Sequence, residues 1–204
     1  MKRFVFLAAA LLISAASAQA QKPKRAFLDC IDLPVESGVA VSPTGAAQSG
    51  MYLRMSVEYR PQNEKGWYAS VEMGDFDMKF SNFSVEGMNV TAGTEVNTTI
   101  LGGAGYRFPI VPEKVSVAVL AQAGVAFATL QNVSVDTDAP GKFELEDRNF
   151  SSPAGKLTFE AEYYVSKNLA ILASAGYYHF FAPRPLEQGG VGTLAFTAGF
   201  TTFF

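Results

Sequence analysis

From Met51 onward, apolar and polar residues alternate with a period of two, the pattern of strands whose two faces meet different surroundings. Met51, Leu53, Met55, Val57 and Tyr59 alternate with Tyr52, Arg54, Ser56, Glu58 and Arg60. The polar run from Pro61 to Gly66 predicts a tight turn, after which Trp67, Ala69, Val71 and Met73 alternate with Tyr68, Ser70 and Glu72. A segment with Thr98, Ile100, Gly102 and Tyr106 follows, its facing blurred by glycines, and is predicted to stop at Pro109 and Pro112, where backbone donors are missing. Val115 to Phe127 predicts another strand, with Val117, Val119 and Val125 on one face and Ser116, Leu120 and Gln122 on the other. Leu157, Phe159, Ala161 and Tyr163 alternate with Thr158, Glu160, Glu162 and Tyr164 before a turn at Ser166 to Asn168, a strand over 169–181, and a last one from Val191 to the C-terminus.

The connections alternate in length: short at 61–66, 109–114 and 166–168, long at 75–95 and 129–155, and medium at 182–190. That alternation sorts them onto two ends of a barrel, short turns at one and loops at the other. Seven strands leave the count odd, so an eighth is expected upstream, over 26–42 with Gly38 to Val41 at its heart, although Pro34, Asp29, Asp32 and Glu36 are poor strand formers. The fold class is all-β: an eight-stranded, antiparallel, up-and-down β-barrel.

Alternation alone leaves two inside-out versions. A soluble, lipocalin-like barrel turns its aliphatic face inward around a ligand. A transmembrane barrel turns that face to lipid and points Arg54, Glu58, Glu72, Glu160 and Glu162 into the lumen, where buried charges must pair and are expected to form an ion network that plugs it. Strands long enough to cross a bilayer at a tilt favour the second version. So do aromatic residues near strand ends (Tyr59, Trp67, Tyr106, Phe108, Phe127, Tyr163, Tyr177, Phe180) and small residues on the polar face (Gly103, Ala118, Gly124, Gly176). Eight strands are too few for a water-filled pore.

Composition adds the address. Lys2 and Arg3, an apolar run from Phe4 to Ile13 and small residues ending at Ala18-Gln19-Ala20 read as a signal peptide over residues 1–20, cleaved near Ala20, leaving 21–204 as one domain. The whole chain holds 16 Lys+Arg and 19 Asp+Glu; losing two cations with the signal gives 14 − 19 = −5, which offers nothing to nucleic acid. Cys30 is the sole cysteine, so no internal disulfide forms, and the Phe27-Leu28-Asp29 before it is no lipobox.

Candidate chemistry is sparse. The single histidine, His179, lies near a strand end, and Ser174, five residues away, falls on the opposite face. The acids Asp75, Asp77, Asp136, Asp138, Glu144, Glu146 and Asp147 have no metal-loop spacing. No catalytic, cofactor or metal residues are assigned.

The terminal run Leu194, Phe196, Ala198, Phe200 and Phe204 keeps one parity, interrupted by Thr202, and resembles the last strand of outer-membrane proteins, which end in Phe. With the signal segment and the strand arrangement, the chain resembles the small OmpA/OmpX-type barrels. The resemblance implies an outer-membrane location among lipid and lipopolysaccharide, and Phe200 and Phe204 as the signal read by the barrel-assembly machinery. It also implies a non-enzymatic barrel meeting a surface partner through its loops. A lipid-modifying enzyme using His179 and the secreted lipocalin-like barrel are the competing expectations.

Overall fold

The structure, a computed structural model, describes residues 27–43, 47–61, 65–80, 83–85, 88–91, 93–132, 134–136, 142–144, 146–181 and 191–203. A 3₁₀ turn, Phe27–Cys30, leads into β1 (Ile31–Val41), β2 (Ala47–Tyr59) and β3 (Gly66–Phe80). Two short strands, β4 (Phe83–Val85) and β5 (Met88–Thr91), precede β6 (Thr94–Val111) and β7 (Val115–Gln131). β8 (Ser134–Asp136) and β9 (Lys142–Glu144) lead on to β10 (Arg148–Ser166), β11 (Leu169–Phe180) and β12 (Val191–Phe203). The eight long strands form a closed barrel in the order β1-β2-β3-β6-β7-β10-β11-β12, and β12 closes antiparallel on β1.

The registers fix the dimensions of the wall. Stepping from partner to partner, Ile31 leads through Tyr59, Ala69, Ala104, Ala121, Leu157, Tyr177 and Leu194 to Val41, so one circuit returns 41 − 31 = 10 residues along β1. With about 3.3 Å per residue and about 4.8 Å between strands, a shear of ten over eight strands tilts them by about 40° to the axis. At that tilt the lipid-facing run on β7 from Val117 to Phe127 rises about 25 Å, the height of the apolar band of a membrane barrel.

The alternation read from sequence holds around the wall. Met51, Trp67, Phe159, Ile171 and Phe196 stand on the outer face, half or more exposed, while Tyr52, Tyr68, Glu72, Leu120 and Glu160 are buried within. β1 starts at Ile31 rather than Ala26, and its acids do not break it: Asp32, Pro34 and Glu36 share the inward parity, so the polar side chains sit where a polar interior receives them. Gly66, with φ 129°, enters β3 from the turn in a conformation side chains resist.

The long connections differ from expectation. β3 and β6 keep pairing up to Lys79↔Thr94, and β7 and β10 up to Leu130↔Arg148, so the loops are shorter than 75–95 and 129–155. At this end of the barrel Asp77 and Lys79 face outward while Phe76 and Met78 are buried, so the outward-apolar pattern reverses while the backbone ladder continues. What remains of the two loops pairs together: β5 joins β8 through Asn89↔Asp136, Val90↔Val135 and Thr91↔Ser134, giving a four-stranded sheet β4-β5-β8-β9. β6 also passes Pro109, ending at Val111 after a register shift. The signal segment and Phe204 lie outside the described residues.

Candidate functional site

Along β2 and one residue past its end the inward side chains run, from the loop end, Tyr52, Arg54, Ser56, Glu58 and Arg60, and this order sets the lumen out in three levels. At the loop end the filling is apolar: Phe76 stacks on Tyr52 at 4.3 Å between ring centres and meets Tyr178 edge-on at 4.8 Å, with Phe180, Met78, Leu101 and Leu130 in the same cluster. At the middle level Arg54, fully buried, holds four carboxylates. Its Nη1 is 2.7 Å from Glu36, its Nε 2.9 Å from Glu72, and its Nη2 2.7 Å from Glu160 and 3.8 Å from Glu58. Lys156 Nζ donates to both oxygens of Glu72 at 2.7 and 2.6 Å, and the hydroxyls of Tyr52 and Tyr178 donate to the same carboxylate at 3.0 and 2.8 Å. Tyr68 donates to Glu160 at 2.9 Å, and Ser174 to Glu36 at 2.6 Å, where Thr197 also binds.

Nearest the short turns, Arg60 reaches Asp32 through Nε at 2.7 Å and Glu58 and Glu162 through Nη2 at 2.5 and 2.8 Å, and Arg107 pairs with Glu162. The Arg60 guanidinium also lies over the rings of Tyr68 and Phe203, at 5.6 and 5.7 Å. Such clusters hold because each of these charges faces an opposite one; an ion buried without a partner costs several kcal/mol.

All five residues expected in the lumen network face inward, in two clusters rather than one: Arg54, Glu72 and Glu160 in the middle, Glu162 nearer the turns, and Glu58 bridging the two. Sequence reasoning missed Asp32, Glu36, Arg60 and Lys156 as members, as well as the tyrosine hydroxyls. Arg107, whose facing the glycines of β6 obscured, points inward. Parity could have found Arg60 and Lys156, each two positions from a recognised inward neighbour, Glu58 and Thr158; for Asp32 and Glu36 the first strand offered no such neighbour.

His179 faces outward, its ring 4.7 Å from Phe181 and its Nδ1 3.5 Å from the Tyr177 hydroxyl, whereas Ser174 faces the lumen, so the wall separates them. Phe200 stands half-exposed on the outer face between Val35 and Ile171. The buried thiol of Cys30 closes the 3₁₀ turn, whose carbonyl accepts from Arg60 N at 2.7 Å. Among the described residues no group of three or more His, Cys, Asp or Glu is placed to hold a metal ion.

A ring of charge inside and apolar residues outside is the reverse of a soluble ligand-binding barrel. Met51 is 72% and Trp67 67% exposed, while Arg54, Arg60 and Arg107 are at most 2% exposed. No protein-family model and no curated protein matches the chain. Solved structures do. Neisserial surface protein A aligns at 18% identity over 85% of this chain and 96% of that one, with a TM-score of 0.55. A major outer membrane protein from Thermus thermophilus aligns at 13% identity over 85% and 99%, with a TM-score of 0.55. The outer membrane protein OprG from Pseudomonas aeruginosa aligns at 12% identity over 85% and 95%, with a TM-score of 0.53. Identities this low speak for the fold alone: the chain has the closed, eight-stranded antiparallel barrel fold that these outer-membrane proteins share.

Proposed function

We propose that the protein sits in the outer membrane, freed of residues 1–20, as a closed wall element that passes no solute and acts at the cell surface through its loop sheet. The observation that carries this reading is the pairing of β5 with β8, which ties the two long loops into one sheet rising from the longest strands of the wall. Separate flexible loops would lose conformational freedom on meeting a partner; loops already paired lose less, so the sheet suits recognition by a preformed surface. Function in such barrels lives on the loops that a rigid scaffold displays.

The closed lumen is supported by its filling: aromatic rings at the loop end and two ionic clusters below place buried side chains along the axis. The outward His179 and inward Ser174 favour a non-enzymatic role. Lipid and lipopolysaccharide surround the wall, and Phe200 with Phe204 serves the barrel-assembly machinery.

Replacing 81–92 and 133–145 by short turns tests the reading. The shortened barrel is expected to fold, seen as a mobility shift between boiled and unboiled samples, and to abolish attachment of expressing cells to host-cell monolayers or to one another. The intact barrel in vesicles is expected to admit neither sucrose nor salt in a swelling assay. Attachment unchanged without the loops, or swelling at the rate of an open channel, would refute it.

A further inference from the structure

On the outer wall, β7, β10 and β11 form an open groove of about 410 Å³, lined by Val117, Phe159, Ala161, Ala173 and Ala175. The registers explain it. Ala161 pairs with Ala173, which pairs with Ala198, so a row of alanines crosses three strands. The row above carries Phe159, Ala175 and Phe196, and the row below Tyr163, Ile171 and Phe200, so large side chains bound the depression on both sides. On β7 the boundary drops: Val115 stands opposite Tyr163 and Val117 opposite Ala161, and these two short side chains leave a way down to the short turns.

Two cations lie at the foot of that flank. Lys114 is three residues below Val117, about 8 Å along the axis at the tilt of the wall. Lys167 lies in the turn between Ser166 and Leu169, and the Lys114 carbonyl accepts from Tyr164 N at 2.9 Å, which holds the two turns side by side. Both lysines are exposed. Glu113 is the one acid in these turns, so they carry 2 − 1 = +1 on a chain whose total is −3. An apolar groove that ends in cations at one edge of the wall suits an amphiphile with an apolar tail and an anionic head. We propose that the groove seats an acyl chain of an anionic phospholipid, of the phosphatidylglycerol class, from the leaflet on the short-turn side, with its phosphate at Lys114 and Lys167. Tyr163, half-exposed beside the groove, stands where head meets tail, as girdle aromatics do. A zwitterionic phospholipid fills the groove as well but brings no net charge to the lysines, so the two cations favour the anionic lipid by about tenfold. The inference rests on the membrane-spanning reading of the wall and is independent of what the loops contact.

The test is native mass spectrometry of the mature barrel, folded into vesicles of equal parts phosphatidylglycerol and phosphatidylcholine and released in mild detergent. One lipid is expected to stay with each barrel, phosphatidylglycerol about tenfold more often than phosphatidylcholine. Lys114→Gln with Lys167→Gln is expected to bring that ratio near one. Ala173→Phe, which fills the groove with an apolar ring on the lipid side, is expected to remove the retained lipid while keeping the boiled-against-unboiled mobility shift. Equal retention of the two lipids, no retention, or a preference that survives the lysine substitutions would overturn the proposal. So would a dimer that Ala173→Phe separates, which would put a second copy in the groove. Should Ala173→Phe not fold, the lysine variant still decides. A barrel that shows no mobility shift and stays out of the vesicles would overturn the membrane-spanning reading itself, and the lipid site with it.

Discussion

Removing the Arg54 guanidinium should unbalance its four carboxylates unequally. In Arg54→Met, Glu72 keeps Lys156 and two tyrosine hydroxyls, Glu160 keeps Tyr68 with Arg107 at 4.0 Å, and Glu58 keeps Arg60. Among the described residues, Glu36 alone loses its only cation and keeps the hydroxyls of Ser174 and Thr197. Breaking a buried pair by deleting one partner costs about 3–5 kcal/mol, because a buried charge is left without its counter-ion. The folding constant should fall by roughly a hundredfold to a few thousandfold, at 1.4 kcal/mol per tenfold. If the cost is the stranded charge, Glu36→Gln in the same chain should recover about half of it, since the amide keeps the hydroxyl contacts without the charge. The assay is equilibrium urea unfolding into and out of vesicles, monitored by Trp67. A loss below about 1 kcal/mol for Arg54→Met, or a double variant whose loss is the plain sum of the two singles, would refute this account of the network.

Three further outcomes follow from the same geometry. A Cβ at Gly105 would stand 2.5 Å from the Tyr68 ring, so Gly105→Ala should destabilise by about 1–3 kcal/mol, whereas Gly102→Ala, whose nearest neighbour is 4.0 Å away, should be close to neutral by the same unfolding assay. Met55→Lys puts a charge on the lipid face at mid-height and should cost about 2–4 kcal/mol in vesicles, with little effect if that face is not against lipid. His179→Ala should leave the lipid A profile of expressing cells unchanged by mass spectrometry; a changed acyl pattern would restore the enzyme reading.

Much of the wall was legible because the period of two is dictated by backbone geometry and needs no knowledge of partners. The facing of Met55, Glu58, Glu72 and Glu160 followed from their own strands. The composition of the clusters did not, because it depends on how far each strand slides past the next. Asp32 meets Arg60, and Lys156 meets Glu72, across registers no local pattern announces. Asp32 and Glu36 were read as obstacles to a strand, when a polar interior inverts the usual preference. The loop sheet was hidden for a different reason: its strands are three or four residues long, so an alternation such as Phe83-Ser84-Val85 is too short to predict a strand, and the pairing of Val90 with Val135 is set between two separate loops.

The seam between β1 and β12 joins the first and last of the described strands, with Asp32 beside Phe203 at the short-turn end of the wall. Each remaining strand has both edges covered by its sequence neighbours among the long strands, so the circle of pairings has no natural starting point. A chain spliced at that seam and reopened at any of the loops would rebuild the same circle of pairings with a different strand made last. Which strand comes first is thus a matter of synthesis and delivery, and the wall itself keeps no record of it.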